Sequence, residues 1–180
     1  MMRTLVFTLL FTALLASCGT NPGREGAMSQ AQMAEKLRAM EQHLAQGLDQ
    51  TTIDTAMADS LVDLGMKYAA QYPEDTLSPQ FLFRAADVAR GIGDRGLAVS
   101  LWGKVAREYE GSRFAPEALF LMAFTLDNDL RDTARARRGY EDFLAQYPKH
   151  PLAGNASELL KILQSNKSPE ELIREFQQQQ

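Results

Sequence analysis

The chain has 180 residues, 45% of them hydrophobic, a formal net charge of −4 and a single cysteine. That length holds one domain of ordinary size beside terminal segments. The acidic balance excludes the basic footprint of a nucleic-acid binder, and one cysteine excludes an internal disulfide.

The first residues read as an address rather than as part of a fold. Arg3 gives a positive start, Leu5 to Ala16 form an apolar run and small residues follow, the pattern of a secretory signal over residues 1–17. The apolar run is about a dozen residues, short of the roughly twenty that span a bilayer as a helix. Its end, Leu15-Ala16-Ser17-Cys18, resembles the bacterial lipobox. That resemblance implies cleavage ahead of Cys18 and a covalent lipid on it, with no other cofactor. Stable anchoring needs more than one acyl chain, which a fully acylated cysteine supplies. Removing Arg3 with the signal takes the net charge from −4 to −5. Residues 18–28, rich in Gly and Pro, read as the lipidated cysteine and a flexible tether. By resemblance to enterobacterial lipoproteins, Gly19 after the cysteine implies the outer membrane, with the body facing the periplasm.

From residue 29 the periodicity is helical. Ser29 with Gln32 forms a capping box before Met33, Leu37, Met40 and Leu44. Eight helices are predicted, over 30–47, 54–71, 79–90, 95–109, 115–127, 133–146, 152–164 and 169–177, leaving a tail at 178–180. Ser78-Pro79 and Ser168-Pro169 read as N-caps with proline at the first turn. Asp94 and Asp132 read as N-caps, and Gly91 and Gly111 as C-terminal caps.

The segments repeat. Tyr72, Tyr109 and Tyr147 are 37 and 38 residues apart, each opening a short polar loop. After the first loop, Phe81, Leu82, Ala85, Ala86 and Ala89 form one helical stripe. It returns 37 residues later as Ala118, Leu119, Met122, Ala123 and Leu126. Ahead of the later tyrosines, Ala98, Trp102 and Val105 correspond to Ala136, Tyr140 and Phe143. Leu61, Gly65 and Tyr68 hold the same register before Tyr72. Two helices per unit is a helical-hairpin solenoid. Toward the end the stripe turns polar at Ser157, Lys161 and Gln164. This suits a terminal cap closed by Leu172, Ile173 and Phe176.

At Ala136, Tyr140, Phe143 and Pro148, and at Ala98, Trp102 and Val105, the chain resembles the tetratricopeptide repeat family. Its Tyr-Pro endings look most like the BamD-like and YbgF-like periplasmic repeat proteins. The resemblance implies an all-α, right-handed solenoid of about three and a half repeats over 29–177, with Trp102, Tyr140 and Phe143 in the core. It also implies a concave side, lined by the first helix of each repeat, that receives protein partners. Off-stripe residues of those helices are the candidate groove: Phe83, Arg84, Asp87, Arg90, Glu117, Phe120, Leu121 and Phe124. The alternative role for the aromatics is to fill the space between repeats.

Chemistry is sparse. Gly91-Ile92-Gly93-Asp94-Arg95-Gly96 spells a dinucleotide fingerprint, but it follows an amphipathic helix rather than a strand and reads as a turn. Asp127, Asp129 and Asp132 lack the glycine and distal glutamate of a calcium loop. His43 and His150 have no ligand partners at helical spacing, so no metal is expected. No nucleophile sits in a motif with a base, so catalysis is not expected. Arg131, Arg135 and Arg138 share one helix face and form a candidate basic patch for an acidic partner or lipid headgroups, or else a solvated surface. The expectation is a membrane-tethered periplasmic adaptor for envelope proteins, in outer-membrane protein assembly or envelope maintenance. The alternative is a regulator that binds a cell-wall enzyme or glycan near Tol–Pal-type machinery.

Overall fold

The computed structural model describes residues 28–47, 54–165, 171, 174, 177 and 178. The signal, Cys18, the tether through residue 27, Ser168 and the apolar residues of the predicted terminal cap lie outside the described residues.

Among the described residues the elements are seven helices and no strand: α1 Gln30–Gln46, α2 Thr55–Gln71, α3 Ser78–Gly91, α4 Arg95–Glu108, α5 Ala115–Asn128, α6 Thr133–Gln146 and α7 Ala153–Ser165. Of the predicted eighth helix, Glu171, Arg174 and Gln177 have helical backbone, as does Gln178 of the predicted tail. Each helix packs on its neighbours in sequence, which is the contact pattern of a one-dimensional array of hairpins.

Three tyrosines set the register. Tyr72, Tyr109 and Tyr147 are the C-caps of α2, α4 and α6, with φ of −131°, −129° and −127°. Each carbonyl then accepts from the N–H three residues on, at Asp75, Ser112 and His150. Those three residues do the same work with different chemistry: Asp75 Oδ1 accepts from Leu77 N at 2.7 Å, Ser112 Oγ from Phe114 N at 3.2 Å, and His150 Nδ1 from Leu152 N at 3.3 Å. The loop geometry is therefore kept while its letters change.

The turns inside each hairpin also repeat. Asp94 and Asp132 cap α4 and α6 by accepting from the N–H of Leu97 and Arg135, both at 3.0 Å. Just before them, Gly93 has φ +97° and Arg131 has φ +55°. The G-x-G-x-x-G letters thus form a turn between two helices. Gly93, not Gly91, takes the left-handed conformation, because Gly91 is still the last residue of α3. Gly111 lies in the loop beyond the cap Tyr109. Ser78 is not an N-cap either. It is inside α3, fully buried, and its hydroxyl donates to the Tyr72 carbonyl at 2.6 Å.

The core runs along the array in three overlapping clusters. Met33, Leu37, Leu61, Tyr68 and Phe81 form the first. Leu82, Ala86, Ala98, Trp102 and Val105 form the second. Leu119, Phe120, Ala136, Tyr140 and Phe143 form the third. Small residues set the spacing between helices. A Cβ at Gly139 of α6 would lie 2.8 Å from the Cβ of Ala123 in α5, and one at Gly65 of α2 would lie 3.1 Å from the Phe81 carbonyl oxygen in α3.

Candidate functional site: the open face of α1, α3, α5 and α7

The buried stripes of the odd-numbered helices face the even-numbered ones. Their opposite sides, by helical geometry, carry Gln80, Arg84 and Asp87 on α3 and Glu117, Leu121 and Phe124 on α5. The repeat spacing places Leu159 and Ile162 of α7 in the positions of Leu121 and Phe124, 38 residues on.

Phe83 and Phe120 do not lie on this open side. They are 4% and 8% exposed. Phe83 packs on Phe114 with ring centroids 5.4 Å apart, and Phe120 meets Phe143 edge-to-face at 5.6 Å and Tyr140 at 6.0 Å. Their positions fall at the margin of the core stripe, where Phe83 is covered by the start of the next repeat and Phe120 by α6 of its own. Phe83 fills the space toward the next repeat and Phe120 the space between α5 and α6 of its own repeat, and both are corrected from groove to core.

The remaining groove residues stay at least partly exposed. Arg84 and Glu117 are exposed, and Asp87, Arg90, Leu121 and Phe124 are half-buried. Arg84 pairs with Asp87 at 3.2 Å, one turn away. Burial raises the Asp87 carboxyl above its usual range, Arg84 opposes that rise, and Glu117 adds to it. The Trp102 indole N–H has no partner of ordinary hydrogen-bond geometry, yet it is near enough to favour the charged form of Asp87. On α1, burial likewise raises Glu41, against the attraction of Arg84 and Arg38, and one of its carboxylate oxygens is buried without a donor.

Arg90 lies at the rim. Its guanidinium carbon sits 5.5 Å from the Phe124 ring centroid, and its Nε donates to Asp129 Oδ2 at 2.7 Å. Arg95 approaches the same carboxylate at 4.0 Å. Sequence reasoning missed this clasp, because neither partner belongs to a motif and they lie 39 residues apart.

The three arginines of the candidate basic patch do not share one helix face: Arg131 sits in the turn before α6 with a left-handed backbone, and only Arg135 and Arg138 lie on α6. All three arginines are exposed. Arg135 pairs with its own cap residue Asp132, Arg131 is near Asp127 and Asp129, and Arg138 donates to the Ala134 carbonyl at 3.4 Å. The nearby carboxylates thus offset much of that charge. Among the described residues, no three His, Cys, Asp or Glu side chains are gathered so as to hold a metal ion.

A second concavity, a cleft of about 580 Å³, lies between the loops that open α3 and α5. Glu74, Asp75, Glu108 and Glu110 line it against Arg113, and Gln80 belongs to both this cleft and the open face. Burial raises the Tyr109 phenol in its wall, with Glu108 and Glu74 adding to the shift.

A family model described as tetratricopeptide repeat matches residues 117–150, the span from the first turn of α5 to the loop after α6. Over that span the chain is similar to one tetratricopeptide repeat. The hairpin of α3 and α4 carries the same caps, turn and core positions 37 or 38 residues earlier, so the repeat continues in structure beyond the matched span. No curated protein matches this sequence. A tetratricopeptide repeat is an interaction scaffold, and its presence points to protein partners.

Proposed function

We propose that this protein is a membrane-tethered adaptor of the bacterial envelope, which holds protein partners on the open face of α1, α3, α5 and α7. The observation that carries the reading is that face itself. Four neighbouring helices present half-buried carboxylates and apolar side chains together, with no helix of the chain among the described residues packed over them. Such a surface suits an extended or helical peptide rather than a small reactive molecule. The tether half of the proposal rests on Leu15-Ala16-Ser17-Cys18 and the signal before it. Lipid on Cys18 would keep the repeats within reach of the outer membrane, in the periplasm, and raise the local concentration of partners there. Work in outer-membrane protein assembly or envelope maintenance follows from that placement.

The test is intact mass and membrane fractionation of the full chain beside Cys18→Ser, followed by capture of crosslinked partners. The adaptor reading expects added lipid mass, sedimentation with the outer membrane and a soluble or unprocessed mutant. It also expects captured partners to be envelope proteins. Equal processing of both chains, with no lipid mass, would remove the tether. Capture of cell-wall enzymes rather than assembly components would shift the role to their regulation.

A further inference from the structure

We infer that the segment received by the open face carries a bulky apolar side chain and, a short step along it, a lysine or arginine. The inference rests on the adaptor reading and specifies the chemistry of its partner.

The open face has two chemical halves. Toward the C-terminal end of the array it is apolar. Leu121, Phe124 and Leu159 are half-buried around the third core cluster, and Ile162 is 39% exposed. Toward the other end it is ionic, with Glu41, Asp87 and Glu117 against Arg38 and Arg84. Arg84 is already engaged with Asp87. Glu117 is exposed and makes no ion pair among the described residues. The Asp87 carboxylate is held in a partly dry position near Glu117, where a single cation gains more than it would in water. The acid-lined cleft adjoining Gln80 extends the same sign of charge. A cation therefore complements the ionic half, and an anion would add to an existing repulsion.

For a segment laid along α5, whose own Glu117 carries the ionic side, that helix fixes the spacing. Glu117, Leu121 and Phe124 stand on one side of one helix, and at 1.5 Å per residue the carboxylate lies roughly 6–10 Å along the axis from the two apolar groups. An extended peptide advances about 3.3 Å per residue, so its cation and its apolar anchor should be two or three residues apart.

The test uses the full chain and three fluorescent twelve-residue peptides in binding anisotropy at two salt concentrations. The first carries Leu-Phe with two lysines three residues on, the second replaces the lysines by glutamates, and the third replaces Leu-Phe by serines. The first should bind at least tenfold more tightly than the others. Glu117→Lys and, separately, Leu121→Ser should each weaken it at least tenfold, with helical circular dichroism unchanged. Equal or tighter binding of the glutamate peptide would overturn the inference, as would indifference to both substitutions or no binding of any peptide. If partners captured in cells still depend on this face while the peptides fail to discriminate, the adaptor reading survives and this inference does not. If the peptides discriminate as expected but cells yield no envelope partner, the reverse holds.

Discussion

Arg90 at the end of α3 donates from Nε to Asp129 Oδ2 at 2.7 Å, closing the first helix of one repeat onto the C-cap of the next. Its second nitrogen reaches Oδ1 at 3.4 Å, and Arg95 stands 4.0 Å from the same carboxylate. The pair is only partly covered, so its contribution is discounted for solvent to about 0.5–1 kcal/mol. Asp129→Ala should lower the melting temperature by about 1–4 °C, and Arg95→Ala by less. Thermal unfolding at low and high salt checks this. A loss that persists undiminished at high salt would argue for packing by Asp129 rather than for the ion pair.

The carboxyl groups make the pH dependence two-sided. Arg90 holds Asp129 below its ordinary 3.8, chiefly by the hydrogen bond. A lowered folded value adds stability above the unfolded value, and that stability is lost as pH falls through the folded value. Burial raises Glu41 above 4.5 and Asp87 and Asp127 above 3.8. Each of these carries a penalty that is absent at low pH and appears as pH rises through its folded value. Acidification from about pH 7 to about pH 5 should therefore leave the melting temperature level or raise it slightly, with a fall only below about pH 4. Glu41→Gln should flatten the rise. Melting curves across that range check the prediction, and a steady decline beginning near neutrality would refute it.

Arg131 occupies with φ +55° the place that Gly93 occupies with φ +97° in the preceding repeat. A left-handed conformation costs a non-glycine residue about 1–2 kcal/mol, and glycine's greater unfolded-state freedom returns roughly half of that. Arg131→Gly should stabilise the fold by about 0.5 kcal/mol, and Gly93→Ala should destabilise it by about 1 kcal/mol. Urea titration of both variants measures the two signs. A stabilising Gly93→Ala would contradict the turn as described.

Gly139 and Gly154 give opposite expectations for the same change. At Gly139 a Cβ would meet Ala123 Cβ at 2.8 Å and Ala123 Cα at 3.4 Å, so α5 and α6 must separate. Gly139→Ala should cost about 1–3 kcal/mol. At Gly154, inside α7, a Cβ would meet nothing within 4 Å. Gly154→Ala should be neutral or stabilise by up to about 1 kcal/mol through helix propensity. Chemical denaturation of the two variants side by side tests whether close approach or propensity governs each site.

Much of the fold was legible from residues that repeat. Tyr72, Tyr109 and Tyr147 announced the unit because their backbone performs one task three times, as helix C-caps. Trp102, Tyr140 and Phe143 were legible as core because the register fixed their side of the helix, and all three are buried. Local chemistry misled where a tertiary demand overrode it. Ser78 looked like a cap but is drawn inward to the Tyr72 carbonyl. Phe83 and Phe120 sit at the margin of the stripe, and periodicity alone does not say which edge a neighbouring helix or loop covers. The clasp of Arg90 with Asp129 was invisible for another reason: a contact between helices of different repeats leaves no short-range signal. Arg84, Asp87, Glu117, Leu121 and Phe124 were legible as a group because the repeat spacing aligns them on one side.

The most direct test of the central claim, that partners are held on the open face, is site-specific photo-crosslinking of the full chain in cells. A photoreactive residue would be placed at Leu121 or Phe124, and for comparison at Met66 of α2, which is 38% exposed on an even-numbered helix. Adducts from Leu121 and Phe124 that vanish with Glu117→Lys, and none from Met66, are the predicted result. Adducts from Met66 equal to or stronger than those from the open face would contradict the account.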